Sequence, residues 1–319
     1  MASPDPEFLA LSAVLGSDPL QVQGAGGNTS VKNDRDLWVK ASGTRLADAQ
    51  SDEIFVRIPL ADIRSKFAEW ENDPTGDLTL EAVKGLRPSI ETTFHGMLDH
   101  VYVIHTHSIA TLIHAISPDG RARLATKLAG LPYARIPYTK PGPGLTQEIM
   151  SRRTETTQVF ILYNHGLICC GDRIDAVRTL LRSVEERLFM PPRQQTGFHP
   201  DQSPEAGYHW SPHSWLAQDG KITSLLLKGS YYPDHVVFLG PTRHTAMHSG
   251  HPPILIKDGV GILVRNNATP AQRAMLQCLA DVMQRIPLDW DAEPIGAAAE
   301  AELLDWDAEK YRQAMARQP

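Results

Sequence analysis

His105-Thr106-His107 closes an apolar, partly β-branched run, Val101-Tyr102-Val103-Ile104. Side chains two apart on a strand project from one face, so two imidazoles at this spacing can grip a single ion. His165 is the best third ligand. It lies in the turn Asn164-His165-Gly166 after a second apolar run, and Gly166 suits close backbone approach. Three neutral nitrogens with a fourth position open describe a catalytic zinc site rather than a closed structural one. Nickel, cobalt or manganese would also accept such donors. The same rings would fit a strand end where ordinary hydrogen bonds satisfy them. His244, His248 and His251 form a second group at helical spacing. Gly250, Pro252 and Pro253 oppose a helix there, so an exposed loop is expected.

Two kinds of partner chemistry stand nearby in the sequence. Gly24-Ala25-Gly26-Gly27-Asn28 can turn several backbone N–H groups toward an anion. It follows a helix and enters a strand, so it is neither a dinucleotide fingerprint nor a P-loop, both of which run strand, loop, helix. Ala41-Ser42-Gly43-Thr44 is a second such loop, and Ser89 at an expected helix start is a third. Glu91 stands in the first turn of that helix. It fits a general base beside a metal, and it fits equally a carboxylate stabilised at a helix N-terminus.

These residues need a scaffold. Apolar periodicity and turn residues predict a helix over 6–16, strands over 30–32, 37–40 and 54–59, and a helix over 61–69. Residues 72–76 read as a loop. A helix over 89–98, a strand over 101–107 and a helix over 109–116 follow. Strands over 159–163 and 167–170 flank the His165 turn, and a helix runs over 175–188. Residues 191–220, rich in Pro, His, Gln and Ser, read as a long connection. Strands over 236–239, 254–256 and 262–264 precede a helix over 270–286, and the last thirty or so residues read as a polar helical tail. There is also an internal echo. Residues 99–105 resemble 234–240, and Asn164-His165-Gly166-Leu167 with its helix resembles Lys257-Asp258-Gly259-Val260 with its helix. The second half then reads as a shortened copy that packs on the first and holds no metal.

Composition removes other classes. A net charge of −6 argues against a nucleic-acid or anionic-lipid footprint. No run nears the length of a membrane span. Three cysteines without regular spacing point to a reducing, cytoplasmic setting, and the acidic start argues against a secretory leader.

Taken in order, Gly26-Gly27-Asn28-Thr29-Ser30, Ala41-Ser42-Gly43-Thr44, Pro88-Ser89-Ile90-Glu91, His105-Thr106-His107 and Asn164-His165-Gly166-Leu167 resemble the class II aldolase/adducin family. The resemblance spans roughly residues 6–190. Tyr138-Thr139-Lys140-Pro141-Gly142 and the stretch Asp305-Trp306-Asp307-Ala308-Glu309-Lys310-Tyr311 resemble a longer subgroup. That subgroup includes the aldolase part of bifunctional rhamnulose-phosphate aldolase/dehydrogenases. The resemblance implies an α/β chain with a three-layer α/β/α fold around a mostly antiparallel central sheet. It implies a catalytic domain over 1–190, a C-terminal extension over 191–319, and a homotetramer with sites at subunit contacts. His105, His107 and His165 would be zinc ligands, and Glu91 the catalytic acid/base. Gly27, Asn28, Ser42, Gly43 and Ser89 would bind the phosphate of a carbohydrate substrate. Ile90 departs from the Ser often found there, which leaves room for another anion or none. The activity implied is a zinc-dependent lyase that cleaves a ketose, as its phosphate, by a retro-aldol step through an enediolate. A decarboxylase, dehydratase or epimerase on the same scaffold, and a non-catalytic adducin-like interaction module, are the alternatives. Adducin-type domains lack the full histidine set that this chain keeps.

Overall fold

The computed structural model describes residues 3–67, 85–195, 203–241 and 251–315. The chain enters through α1 (Pro6–Ser17), where the Asp5 carboxylate accepts the Phe8 N–H and Pro6 occupies a position needing no donor. Next come β1 (Asn28–Lys32), β2 (Asp36–Lys40), β3 (Phe55–Pro59), α2 (Leu60–Lys66) and α3 (Thr92–Met97). They are followed by β4 (Tyr102–Thr106), α4 (Ile109–Ala115), α5 (Pro118–Lys127), β5 (Tyr133–Ile136) and α6 (Pro143–Arg152). β6 (Val159–Leu162), β7 (Gly166–Gly171) and α7 (Ile174–Leu188) complete this part.

The seven strands form one sheet in the order β3-β2-β1-β4-β7-β6-β5, and every pair is antiparallel except β5 with β6. Period-two alternation splits each strand between two apolar layers. Val103, Phe160 and Ile168 pack with Phe94 of α3 and Leu145 and Ile149 of α6. Ile104, Ile161 and Cys169 pack with Phe8 of α1 and with Val177, Leu181 and Val184 of α7. The result is the expected α/β/α layering around a mostly antiparallel sheet. β4 lies at its centre, with β1 and β7 on either side, so His105 stands opposite Asn28 and Ile168.

The second part contains β8 (Tyr208–Trp210), α8 (Gly220–Leu226), α9 (Pro233–Leu239), β9 (Ile254–Lys257) and β10 (Gly261–Arg265). α10 (Pro270–Arg285), α11 (Ala297–Asp305) and α12 (Asp307–Met315) follow. β8, β10 and β9 make a small antiparallel sheet. Its apolar core is continuous with α4, whose Ile109, Leu112 and Ile113 belong to one buried cluster with Val236, Leu239, Leu279 and Met283. α4 therefore serves both parts.

Several expectations change. The strand expected over 236–239 is the helix α9. Pro233 opens it, Gly240 at φ 76° ends it, and burial on every side erases the periodicity that separates strand from helix in a short apolar run. Residues 99–105 run into a strand where 234–240 form a helix, so that echo is one of sequence only. The other echo holds as an order of elements: β9, turn, β10 and α10 repeat β6, turn, β7 and α7. The helix expected from Ser89 begins at Thr92, because the Ser89 hydroxyl takes the Glu91 N–H in a tight turn and caps no helix. The long connection over 191–220 includes β8 and a 3-10 turn at Ser214–Ala217. The terminal helices are not a polar tail, since Leu303, Glu309 and Arg312 are buried. The loop expected at 72–76, and His244 and His248, lie outside the described residues.

Candidate metal centre and active site

Strand geometry delivers the first two histidines. His105 follows Val103 on the face toward α3, and His107 sits just past the strand end. The β6–β7 turn delivers the third. Asn164 takes φ 53°, a left-handed conformation that Asn tolerates, and this turns His165 toward β4. A Cβ at Gly166 would come within 2.3 Å of the Thr106 carbonyl oxygen, so only glycine lets the turn lie this close. Asn164 is itself fixed: its amide donates to the Tyr231 and Glu293 carbonyls of the second part, and its oxygen accepts from Arg121 of α5.

The three imidazoles converge. One nitrogen from each of His105, His107 and His165 lies within 4.8 Å of the others, and all three residues are buried. His105 Nδ1 donates to the Leu167 carbonyl at 3.0 Å, which leaves the Nε2 lone pair free, and Nε2 has no hydrogen-bond partner. Burial pushes His105 down and His165 down to about 3, so both rings are neutral. Neutral nitrogens whose lone pairs meet no protein donor are what a divalent metal ion requires, and the donor set fits one.

Glu91 faces the cluster. Its Oε2 lies 3.5 Å from His105 Nε2, and its Oε1 lies 3.4 Å from His165 Nε2. Oε2 accepts from the Asn28 amide at 2.7 Å, while Oε1 accepts no hydrogen bond. Burial raises the Glu91 carboxyl. The His105 and His165 rings and the Asn28 amide outweigh it and bring the pKa to about 2, so Glu91 is a carboxylate. Asn28 also donates to Ser89 Oγ, and its oxygen accepts from His95 Nε2. Ser30 Oγ meets His95 Nδ1 at 2.7 Å, and burial keeps the His95 ring neutral. Since Asn28 offers His95 only an acceptor, Nε2 carries the proton and the serine hydroxyl donates to Nδ1. This relay fixes which end of Asn28 points at Glu91.

All the residues expected to bind an anion border one small cavity. Gly27, Asn28, Ser42, Gly43 and Ser89 line it with Ile90, Glu91, His107 and His165. An isolated bridge between Ala41 and Pro88, with the Ser42 N–H donating to the Arg87 carbonyl, brings the Ser42 and Ser89 loops together. Lys40, unmarked in the sequence reading, ties the glycine loop to them. Its Nζ donates to the Ala25, Ala41 and Thr44 carbonyls, and burial lowers its pKa to about 7.

Sequence reasoning also missed two residues of the second part that line this cavity, Asp234 and Arg312. Asp234 Oδ2 lies 3.3 Å from His107 Nδ1, and Arg312 donates to Oδ1 at 2.8 Å. Arg312 also donates to both Glu309 oxygens, at 2.9 and 3.0 Å. The conspicuous stretch before Arg312 was a signal. Nothing local marked Asp234 as more than the first turn of an apolar segment.

With this geometry in place, residues 9–190 match the family model described as Class II Aldolase and Adducin N-terminal domain. The chain belongs to the class II aldolase and adducin family. Among curated relatives, an uncharacterized oxidoreductase, YuxG, of Bacillus subtilis (strain 168) is 29% identical over 182 residues, which are 52% of this chain and 26% of that protein. The chain thus spans about a quarter of that relative. The L-fuculose phosphate aldolase of Methanocaldococcus jannaschii is 30% identical over 173 residues, 50% of this chain and 80% of that enzyme. The N-terminal class II aldolase domain of a conserved Thermoplasma acidophilum protein is similar as a structure, with 27% identity, coverage of 59% of this chain and 93% of that one, and a TM-score of 0.49. The matched region holds all five segments that carried the class II aldolase resemblance. Asp234 and Arg312 lie beyond it. Among the described residues, no helix is long and apolar enough to cross a membrane.

Proposed function

We propose that this class II aldolase family member is a metal-dependent lyase that cleaves a ketose beside its carbonyl, with His105, His107 and His165 holding one zinc ion. The observation that carries this reading is the buried Glu91 carboxylate, its Oε1 without a hydrogen-bond partner among the described residues, beside three converging imidazoles. A divalent ion bound there supplies Lewis-acid polarisation of the substrate carbonyl. Glu91 does the proton work. Asn28 holds Oε2 in place, so Oε1 is the atom that takes the hydroxyl proton as the carbon–carbon bond breaks and returns it to carbon. The loops bearing Gly27, Asn28, Ser42, Gly43 and Ser89 hold the far end of the substrate, and a sugar phosphate suits their hydroxyl and N–H donors. Residues 1–190 form the catalytic domain, residues 191–319 extend it, and the assembly is a homotetramer.

Ile90 supports a second reading of the same centre. It lines the cavity between Ser89 and Glu91, which suits a substrate with another anion in place of phosphate, or with none. The test is a panel of ketose phosphates, free ketoses and 3-keto acid phosphates offered to the zinc-loaded protein. Aldehyde release from a ketose substrate, lost in Glu91→Gln, supports the proposal. Turnover confined to the keto acids with no aldehyde released would replace it.

A further inference from the structure

His107 differs from the other two histidines in what stands behind it. The second ring nitrogen of His105 is taken by a backbone carbonyl of the same sheet. That of His107 faces a carboxylate from the second part of the chain, Asp234 of α9, at 3.3 Å. The approach is built in from three sides. A Cβ at Gly26 would stand 2.8 Å from both Asp234 Oδ2 and His107 Nδ1, so a side chain there would push the pair apart. Arg312 of α12 holds the other carboxylate oxygen. Glu309, one turn earlier on α12, fixes Arg312 through both of its own oxygens. Asp234 is 1% exposed, yet among the described residues Oδ2 has no hydrogen-bond partner, with His107 Nδ1 3.3 Å away. Burial would raise the Asp234 carboxyl, but Arg312 and His107 outweigh it and hold it well below the usual carboxylate range.

We infer that Asp234 is the positioning residue of the metal centre. It accepts the His107 Nδ1 proton, fixes the tautomer that presents Nε2 to the ion, and depends on Arg312 for its own place. The inference rests on the metal-binding reading of the preceding section. A carboxylate behind a ligating imidazole sets ring orientation and raises ligand basicity, and its loss costs metal affinity. Helices α9 and α12 therefore complete the centre rather than merely packing beside it. The ligands come from the family-matching part, and the orienting carboxylate comes from beyond it.

The test uses the full chain and zinc alone, with affinity read by chelator competition. Asp234→Asn should bind zinc about 10–100-fold more weakly while keeping one site, and Asp234→Glu should recover part of the loss. Asp234→Asn leaves Arg312 paired with both Glu309 oxygens, and its unfolding midpoint checks that the chain still folds. A reading on unaltered protein needs no variant. In the zinc-loaded chain with 15N-labelled histidine, His107 should show a protonated Nδ1 and a metal-shifted Nε2. Zinc bound through His107 Nδ1, or wild-type affinity in a folded Asp234→Asn chain, would overturn the inference. An unaltered chain that bound no zinc at all would instead refute the metal reading beneath it.

Discussion

The histidine cluster and the Asp234–Arg312–Glu309 cluster are both buried and both polar, and they border the same cavity, yet their bookkeeping is opposite. Around the histidines, atoms are left over: His105 Nε2, Glu91 Oε1 and His165 Nδ1 have no hydrogen-bond partner among the described residues. In the second cluster, Arg312 meets two carboxylates, and only Asp234 Oδ2 remains, aimed at a histidine. Buried polar groups are nearly always satisfied. Leftover atoms that converge beside one cavity, as these do, suit an outside group, and paired ones hold that place in shape. On the proposed reading, the first region binds and the second positions.

That contrast can be broken from either side, and the largest effects should come from the binding side. His107→Ala should abolish activity and lower the bound metal, as elemental analysis would show. Retained metal with full turnover would erase the distinction. Glu91→Gln should keep the metal and cut turnover by on the order of 10²–10⁴-fold, since the carboxylate rather than its shape does the proton transfer. Steady-state kinetics on the metal-replete variant would check this.

Acid should find the same carboxylate. The pKa of Glu91 is held at about 2, below its ordinary value of 4.5. Its contribution to stability is then complete above about pH 4.5 and fades as pH falls toward 2. Urea unfolding of the metal-free protein should show wild type losing more stability than Glu91→Gln between about pH 5 and pH 3. Parallel curves would contradict it.

A smaller effect tests the seam between the two regions. Gly43 has φ 79°, and a Cβ there would come within 2.8 Å of Met315 on α12. Gly43→Ala should cost about 1–3 kcal/mol, read as a lower unfolding midpoint. The smallest change is expected at Asp258, an exposed residue in the β9–β10 turn. Asp258→Ala should leave metal content untouched, and metal loss there would show that the second part holds a site of its own.

The sequence displayed the binding region well and the positioning region poorly, for physical reasons. A His-x-His pair at a strand end and a histidine beside Gly166 declare themselves through local periodicity and turn chemistry. The β-strands of the large sheet do the same, since each alternates between two apolar layers. The link between Asp234 and Arg312 joins residues 78 apart, and no local pattern encodes such a pairing. α9 was misread because Val236-Val237-Phe238-Leu239 is buried all round, where β-branched residues suggest a strand and only Pro233 and Gly240 mark a helix. Ser89 was misplaced because a hydroxyl that serves a tight turn looks in sequence like one that caps a helix.

The account stands or falls on whether the three imidazoles take a metal. The direct measurement is elemental analysis of the unaltered full chain after dialysis against zinc and then against metal-free buffer, beside the His105→Ala chain. About one zinc per chain in the first and almost none in the second is the expected result. Equal zinc in both, or less than about a tenth of an equivalent in the unaltered chain, would contradict it.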